Sequence, residues 1–130
     1  FKLSANHKER LFVRPTQETT LMLKSRFYSK QAEHDLYHNM AQLTSLEHQT
    51  VGSAIKFCKV AQGSADGFVR LYPTYAWDSA AGVALVLAAG GTARFIDTNT
   101  IVTYEKTKHA RFKLCNTSQL SGFINSSLGL

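Results

Sequence analysis

Apolar positions along this chain change period several times, and each change marks an element. They are sparse over the first 20 residues, where Leu11-Phe12-Val13 stands alone ahead of Pro15 in Arg14-Pro15-Thr16-Gln17. A breaker so close predicts a leading segment with no more than a short strand at that triplet. Leu21-Met22-Leu23-Lys24-Ser25-Arg26 then reads as a strand. Ser29 can cap a following helix, to which Leu36, Tyr37, Met40 and Leu43 give one apolar face. Thr50-Val51-Gly52 is a short extended piece, and residues 53–62 form a second helix with Ala54, Phe57, Cys58 and Ala61 on one side and Gly63 at its end.

Residues 68–72 alternate as a strand and stop at Pro73. Asp78 opens a third helix that runs to Gly90-Gly91 and is apolar nearly all round, which predicts that it is buried. Residues 92–96, 101–104 and 111–114 are further strands between Thr/Asn/Lys turns, and the tail 121–130 reads as loose. The order predicts an α/β fold: one layered α/β/α domain over residues 1–130, with a mixed sheet of about five strands.

Composition narrows the class. The 130 residues are 44% hydrophobic and 18% charged, as in a folded domain and unlike a disordered chain. Fifteen Lys+Arg against nine Asp+Glu leave a charge of +6, which favours anionic partners. Lys106, Lys108, His109, Arg111 and Lys113 cluster late and Lys2, Lys8, Arg10 and Arg14 early, but neither group forms an RNA-binding or helix-turn-helix signature. A nucleic-acid polymer is therefore not expected. The weakly polar stretch 82–91 is too short for a membrane span, and no basic, apolar leader opens the sequence. Cys58 and Cys115 lack CxxC spacing and read as reduced core thiols of a cytoplasmic protein. His34-Asp35-Leu36-Tyr37-His38 places two imidazoles at i and i+4, but Asp35 stands where a zinc protease has Glu and no third ligand follows. An exposed polar helix face accounts for the pair.

The segment with possible chemistry is Tyr75-Ala76-Trp77-Asp78-Ser79-Ala80-Ala81-Gly82, running on to Ala88-Ala89-Gly90-Gly91. An Asp at a helix mouth is favoured by free N–H groups and the helix dipole, which makes it an ordinary N-cap. The same carboxylate is a hard ligand suited to Mg²⁺. Spacing leaves both open.

W-D-x-A-A-G followed by A-x-G-G resembles the C-terminal signature of the inositol monophosphatase superfamily of Mg²⁺-dependent phosphatases. The resemblance extends upstream in unbroken order through Arg70-Leu71-Tyr72-Pro73, Ala61-x-Gly63-x-Ala65-Asp66 and Gly52-Ser53-Ala54-Ile55-Lys56-Phe57-Cys58. It covers residues 50–97 well and 21–49 weakly. Where inositol monophosphatases carry an Asn and a Glu, this chain has Lys56 and Arg70. Two acceptors have become two cations, suited to a second phosphate. That pattern resembles the CysQ-type 3'(2'),5'-bisphosphate nucleotidases, which remove the 3'-phosphate of adenosine 3',5'-bisphosphate.

The resemblance implies that Ser53, Lys56 and Arg70 contact substrate and that Asp78 is a Mg²⁺ ligand. Nucleotidases commonly have Ser-Arg-Ser-His where this chain has Ser25-Arg26-Phe27-Tyr28, so Tyr28 takes the place of a substrate-contacting His. The family also holds its metals through an upstream Glu and a D-P-[LI]-D-G-[ST] loop. Neither occurs among Glu9, Glu18, Glu33, Asp35, Glu47, Asp66, Asp78, Asp97 and Glu105. Two-metal phosphoryl hydrolysis needs several carboxylates. With a chain that starts at Phe1, this implies the C-terminal half of such an enzyme, nearly inactive alone, with a missing N-terminal half as partner and an exposed face that promotes self-association. The alternatives are an inositol-phosphate phosphatase of the same superfamily and a non-catalytic anion-binding or interaction remnant.

Overall fold

The computed structural model describes residues 1–26, 31–52 and 54–130, with His109 described by its backbone only. Tyr28, the predicted cap Ser29 and Ser53 lie outside the described residues. The elements follow in the order β1 (Lys2–Ser4), β2 (His7–Glu9), β3 (Thr20–Lys24), α1 (Gln31–Leu43), β4 (Leu46–Thr50), α2 (Ile55–Ala61) and β5 (Gly67–Arg70). Then come β6 (Thr74–Tyr75), α3 (Ala76–Ala88), β7 (Thr92–Phe95), β8 (Lys108–His109), β9 (Phe112–Cys115) and α4 (Ser118–Ser127).

Five strands form one mixed sheet in the order β4-β3-β5-β9-β7. β3 runs parallel to β4 and β5, while β9 is antiparallel to β5 and β7. Neighbours along the central strands point to opposite faces and both are buried, as period-two geometry requires of a sheet covered on two sides. Leu23, Phe68 and Leu114 enter one core with Phe57 and Val60 of α2 and Val83 and Val86 of α3. Met22, Val69 and Cys115 enter the other with Leu36, Tyr37 and Met40 of α1 and Leu120 and Ile124 of α4. The layered α/β/α fold with a five-stranded mixed sheet is thus the one the pattern predicts.

Several local expectations are corrected. Residues 11–13 are not a strand; β1 and β2 form a separate exposed hairpin ahead of them. The second extended piece is longer than Thr50-Val51-Gly52 suggests, because β4 begins at Leu46 and pairs with β3 over its whole length. Residues 101–104 give only the single bridge Arg94↔Ile101. The tail is a helix: the Thr117 side chain accepts a hydrogen bond from Leu120 N, and Leu120, Ser121 and Ile124 are buried. Its serines and asparagines hide a stripe of apolar positions that only the sheet behind it reveals. α3 buries one face, with Leu87 and Trp77 exposed, because helices of a three-layer domain have the sheet on one side only. Leu43 and Cys58 are likewise exposed. The buried side of α2 carries Lys56, Phe57, Val60 and Ala61, a face rotated from the one predicted.

Candidate active site

In open α/β sheets, ligands bind beyond the carboxyl ends of the strands, where connections leave in different directions. Ser25 and Arg26 after β3, Gly52 after β4 and Arg70 at the end of β5 all lie at that edge. They line a cleft of about 590 Å³ together with Lys56 of α2, Tyr72, and Thr74, Tyr75, Trp77 and Asp78 around the start of α3. Of the predicted site residues, Lys56, Arg70 and Asp78 are therefore brought to one cleft. Nothing is placed for Tyr28 or Ser53, which lie outside the described residues.

Lys56 is held by the core below it. Its side chain is 2% exposed, the ammonium lies 5.7 Å from the Phe68 ring centroid, and Nζ donates to the Val51 carbonyl at 3.4 Å. One long bond leaves an ammonium with three donors under-used. Burial, and then the nearby Arg70 charge, lower its pKa from 10.5 to about 8, against the partial support of Glu33. Arg70 donates from Nη1 to the Tyr72 hydroxyl at 2.7 Å and its guanidinium lies 5.0 Å from that ring's centroid. Its Nε is buried with no hydrogen-bond partner among the described residues. A buried ammonium and a half-buried guanidinium with spare donors are what an anion of more than one charge would satisfy.

Glu33, in the first turn of α1, is a residue the sequence pattern misses. It is 3% exposed, and its Oε1 is buried without a hydrogen-bond partner among the described residues. Burial raises its pKa, while Lys24, Lys56, Arg70 and a hydrogen bond from the Ser25 backbone pull the other way. No sequence signal marks it, since a Glu in a helix's first turn is ordinary; only the fold brings it close enough to feel the charges of Lys24, Lys56 and Arg70.

Asp78 is in the first turn of α3 but is not its N-cap. The helix starts two residues earlier, with Tyr75 in the cap position and no side-chain cap bond. The two-stranded ladder of β6 and β8 fixes this start, pairing Tyr75 with Lys108, and Ala76 N donates to Thr107 O at 2.7 Å. Asp78 is exposed, and Thr74 Oγ1 donates to its Oδ2 at 3.4 Å. A carboxylate free of a capping bond can ligate a hard cation. The described residues contain no group of three or more His, Cys, Asp or Glu that could hold a metal ion.

Other candidates separate in space. His34 and His38 are exposed on α1, as the polar-face reading expects. The late basic cluster is not one patch. Lys113 is 1% exposed and donates to Ser121 O at 2.8 Å and to Asn125 Oδ1, and Arg111 pairs with Asp97. No helix among the described residues is long and apolar enough to cross a membrane.

Comparison with known proteins agrees with this architecture. The 3'(2'),5'-bisphosphate nucleotidase CysQ of Salmonella typhimurium is 54% identical over 46 residues, 34% of this chain and 19% of that protein. The CysQ of Buchnera aphidicola is 35% identical over 74 residues, 57% of this chain and 27% of its own length. An uncharacterized protein of Rhizobium leguminosarum is 47% identical over 57 residues, 44% of this chain and 59% of that one. The crystal structure of CysQ from Bacteroides thetaiotaomicron superposes with a TM-score of 0.72 at 26% identity, covering 81% of this chain and 40% of that one. An inositol monophosphatase from Zymomonas mobilis shares the fold with a TM-score of 0.75 at 15% identity, over 92% of this chain and 47% of its own. The chain thus spans less than half the length of either solved structure. The profile of the inositol monophosphatase family matches residues 2–127, and the chain belongs to that family.

Proposed function

We propose that this chain is the substrate-binding half of a Mg²⁺-dependent 3'(2'),5'-bisphosphate nucleotidase that converts adenosine 3',5'-bisphosphate to AMP and phosphate. The observation that carries the reading is the pair Lys56 and Arg70, both facing one cleft with unspent donor capacity. A monophosphate on a polyol needs hydroxyl acceptors near its ring; a bisphosphate needs a second cation. This favours the nucleotide over an inositol phosphate, and the similarity to CysQ proteins supports it. Ser53 and Tyr28 join the binding set on the family resemblance alone.

In this reading Asp78 gives Mg²⁺ one oxygen ligand, and the remaining carboxylates come from an N-terminal half of the same fold. Mg²⁺ would supply charge neutralisation at the phosphate. Lys56 and Arg70 hold the anion and keep it desolvated against the sheet edge. Self-association of the 130-residue chain accompanies the reading, since Trp77 and Leu87 are 70% and 41% exposed. The work of the protein is soluble and cytoplasmic in this proposal.

The test is phosphate release with Mg²⁺ from adenosine 3',5'-bisphosphate and inositol 1-phosphate, alongside calorimetric binding of both. We expect binding that favours the nucleotide and no measurable turnover by the isolated chain. Turnover by the chain alone would overturn the half-site assignment, and a preference for inositol 1-phosphate would overturn the substrate.

A further inference from the structure

Lys56 combines three properties: it lines the cleft, it is 2% exposed against the Phe68 ring, and the Arg70 charge is near enough to act on it. Its hydrogen bond to the Val51 carbonyl is 3.4 Å long, so no strong acceptor locks the nitrogen. An apolar wall beside a second cation is the setting that turns a lysine into a nucleophile. A pKa of about 8 leaves roughly half of the amine uncharged at pH 8, against about one part in 300 for a lysine at 10.5. Weaker basicity removes part of that gain, as it does among thiols, and roughly a tenfold advantage survives. Lys113 supplies the contrast. It is as deeply buried and its pKa is likewise lowered, but its ammonium donates to Ser121 O and Asn125 Oδ1 beneath α4, and it does not line the cleft.

The cleft also selects the electrophile. Arg70 Nε is buried with no hydrogen-bond partner among the described residues, so a phosphate held on this guanidinium stands beside the Lys56 amine. A phosphate monoester offers that amine no reactive carbon. An acyl phosphate does, and its leaving group is the phosphate that Arg70 holds. We propose that Lys56 is a modification site: an acyl phosphate bound in the cleft, its phosphate on Arg70, transfers its acyl group to Lys56 Nζ. The nitrogen lone pair forms an N–C bond to the acyl carbon, and the carbon–oxygen bond to the phosphate breaks with its electron pair on the phosphate oxygen. The nitrogen's surplus proton passes to solvent, leaving an amide and inorganic phosphate. Acylation removes one of the two cleft cations and so switches off anion binding. This rests on the reading of the cleft as a phosphate site and deepens it by giving that site a covalent regulation.

In the test, the 130-residue chain is incubated at pH 8 with acetyl phosphate and, separately, with acetic anhydride, which carries no phosphate. Peptide mass spectrometry reads acetylation lysine by lysine. Acetyl phosphate should label Lys56 roughly tenfold or more faster than the exposed Lys2, Lys8 and Lys106, and leave Lys113 unlabelled. Inorganic phosphate should slow the labelling of Lys56 and of no exposed lysine. With acetic anhydride the preference for Lys56 should be smaller and indifferent to phosphate. By calorimetry, the acetylated chain should bind adenosine 3',5'-bisphosphate roughly tenfold or more weakly than the unlabelled chain. Labelling of Lys56 no faster than that of the exposed lysines, in a chain that still binds the nucleotide, would overturn the modification site and leave the phosphate reading intact. Equal preference for Lys56 from both reagents, without protection by phosphate, would reveal a reactive amine that no bound phosphate addresses, and would overturn it as well. A chain that neither binds the nucleotide nor labels at Lys56 would overturn the cleft reading together with the site.

Discussion

Arg14 and Asp66, 52 positions apart, make a two-point ion pair, with Arg14 Nε donating to Asp66 Oδ1 at 2.8 Å and a terminal guanidinium nitrogen meeting Oδ2. Leu21 N donates to the same carboxylate at 2.7 Å and Asn116 Nδ2 at 2.8 Å, so the leading segment, β3, β5 and the end of β9 meet at one buried side chain. Asp66 is 2% exposed and Arg14 25%. Removing one partner of a buried, hydrogen-bonded pair strands the other, at about 3–5 kcal/mol. Arg14→Ala should cost somewhat less, about 2–3 kcal/mol, because Arg14 is partly solvated. Asp66→Ala, which removes the acceptor of four hydrogen bonds from Arg14, Leu21 and Asn116, should cost the full amount. Urea denaturation measures both, and a shift no larger than that of an ordinary surface substitution would show the junction to be incidental.

Gly82 gives a second prediction. A Cβ on it would stand 2.2 Å from Phe57 Cγ, so α2 and α3 touch through a bare backbone. Phe57 is itself pinned edge-on to Phe68, centroids 5.0 Å apart. Alanine is the better helix former by about 1 kcal/mol, yet overpacking of this kind costs about 1–3 kcal/mol. Gly82→Ala should therefore destabilise, and it should weaken nucleotide binding as well, because Lys56 is the neighbour of the ring that must move. Adding Phe57→Leu should restore part of the lost stability in thermal melts. A gain in stability for Gly82→Ala would disprove the close contact.

The elements with one strong period were legible in the sequence and those defined by partners were not. β3, β5 and β9 carry buried residues on both faces, so their apolar runs were plain at Met22-Leu23, Phe68-Val69 and Leu114-Cys115. α4 was missed because its buried stripe is only Leu120, Ser121 and Ile124, diluted by Ser and Asn. In the site, Lys56, Arg70 and Asp78 were found through a motif of fixed spacing. Glu33 carries no motif and burial alone distinguishes it; Trp77 belongs to the W-D-x-A-A-G motif, but its parallel stacking on Tyr75, which a ladder 33 residues downstream orients through the Tyr75↔Lys108 register, does not show in the sequence. Lys113 shows the reverse error, a charge read as surface that in fact lies under α4.

That lysine yields a third prediction. Lys113 is buried, and burial lowers its pKa even as its ammonium caps Ser121 O and Asn125 Oδ1. Deleting residues 117–130 uncovers Met22, Met40 and Cys115 and leaves that ammonium unpaired. The truncated chain should fail to fold cooperatively, whereas Asn125→Ala, which removes one acceptor, should cost about 1–3 kcal/mol. A cooperative, near-native melt after truncation would contradict the two-sided core.

Lys56 and Glu33 set the pH response of the cleft. The folded pKa of Lys56, about 8, lies below its ordinary 10.5. Between these values the unfolded chain binds more protons, so this residue's contribution to stability rises with pH across that window. Anion binding runs the opposite way, because it needs the charged ammonium: affinity for adenosine 3',5'-bisphosphate should be level below pH 7 and fall as pH rises through about 8. Lys56→Arg, which stays charged, should flatten that decline. In Glu33→Gln the charge that supports Lys56 is gone, so its pKa drops further and the decline moves to lower pH. The same substitution relieves a buried carboxylate whose own pKa burial has raised, so stability at neutral pH should hold or increase. Calorimetric titrations from pH 6 to 9 on the three proteins, paired with urea midpoints, separate the two effects. Weaker binding at unchanged or higher stability marks Glu33 as a residue that keeps Lys56 charged, and a loss of both together would reduce it to a structural contact.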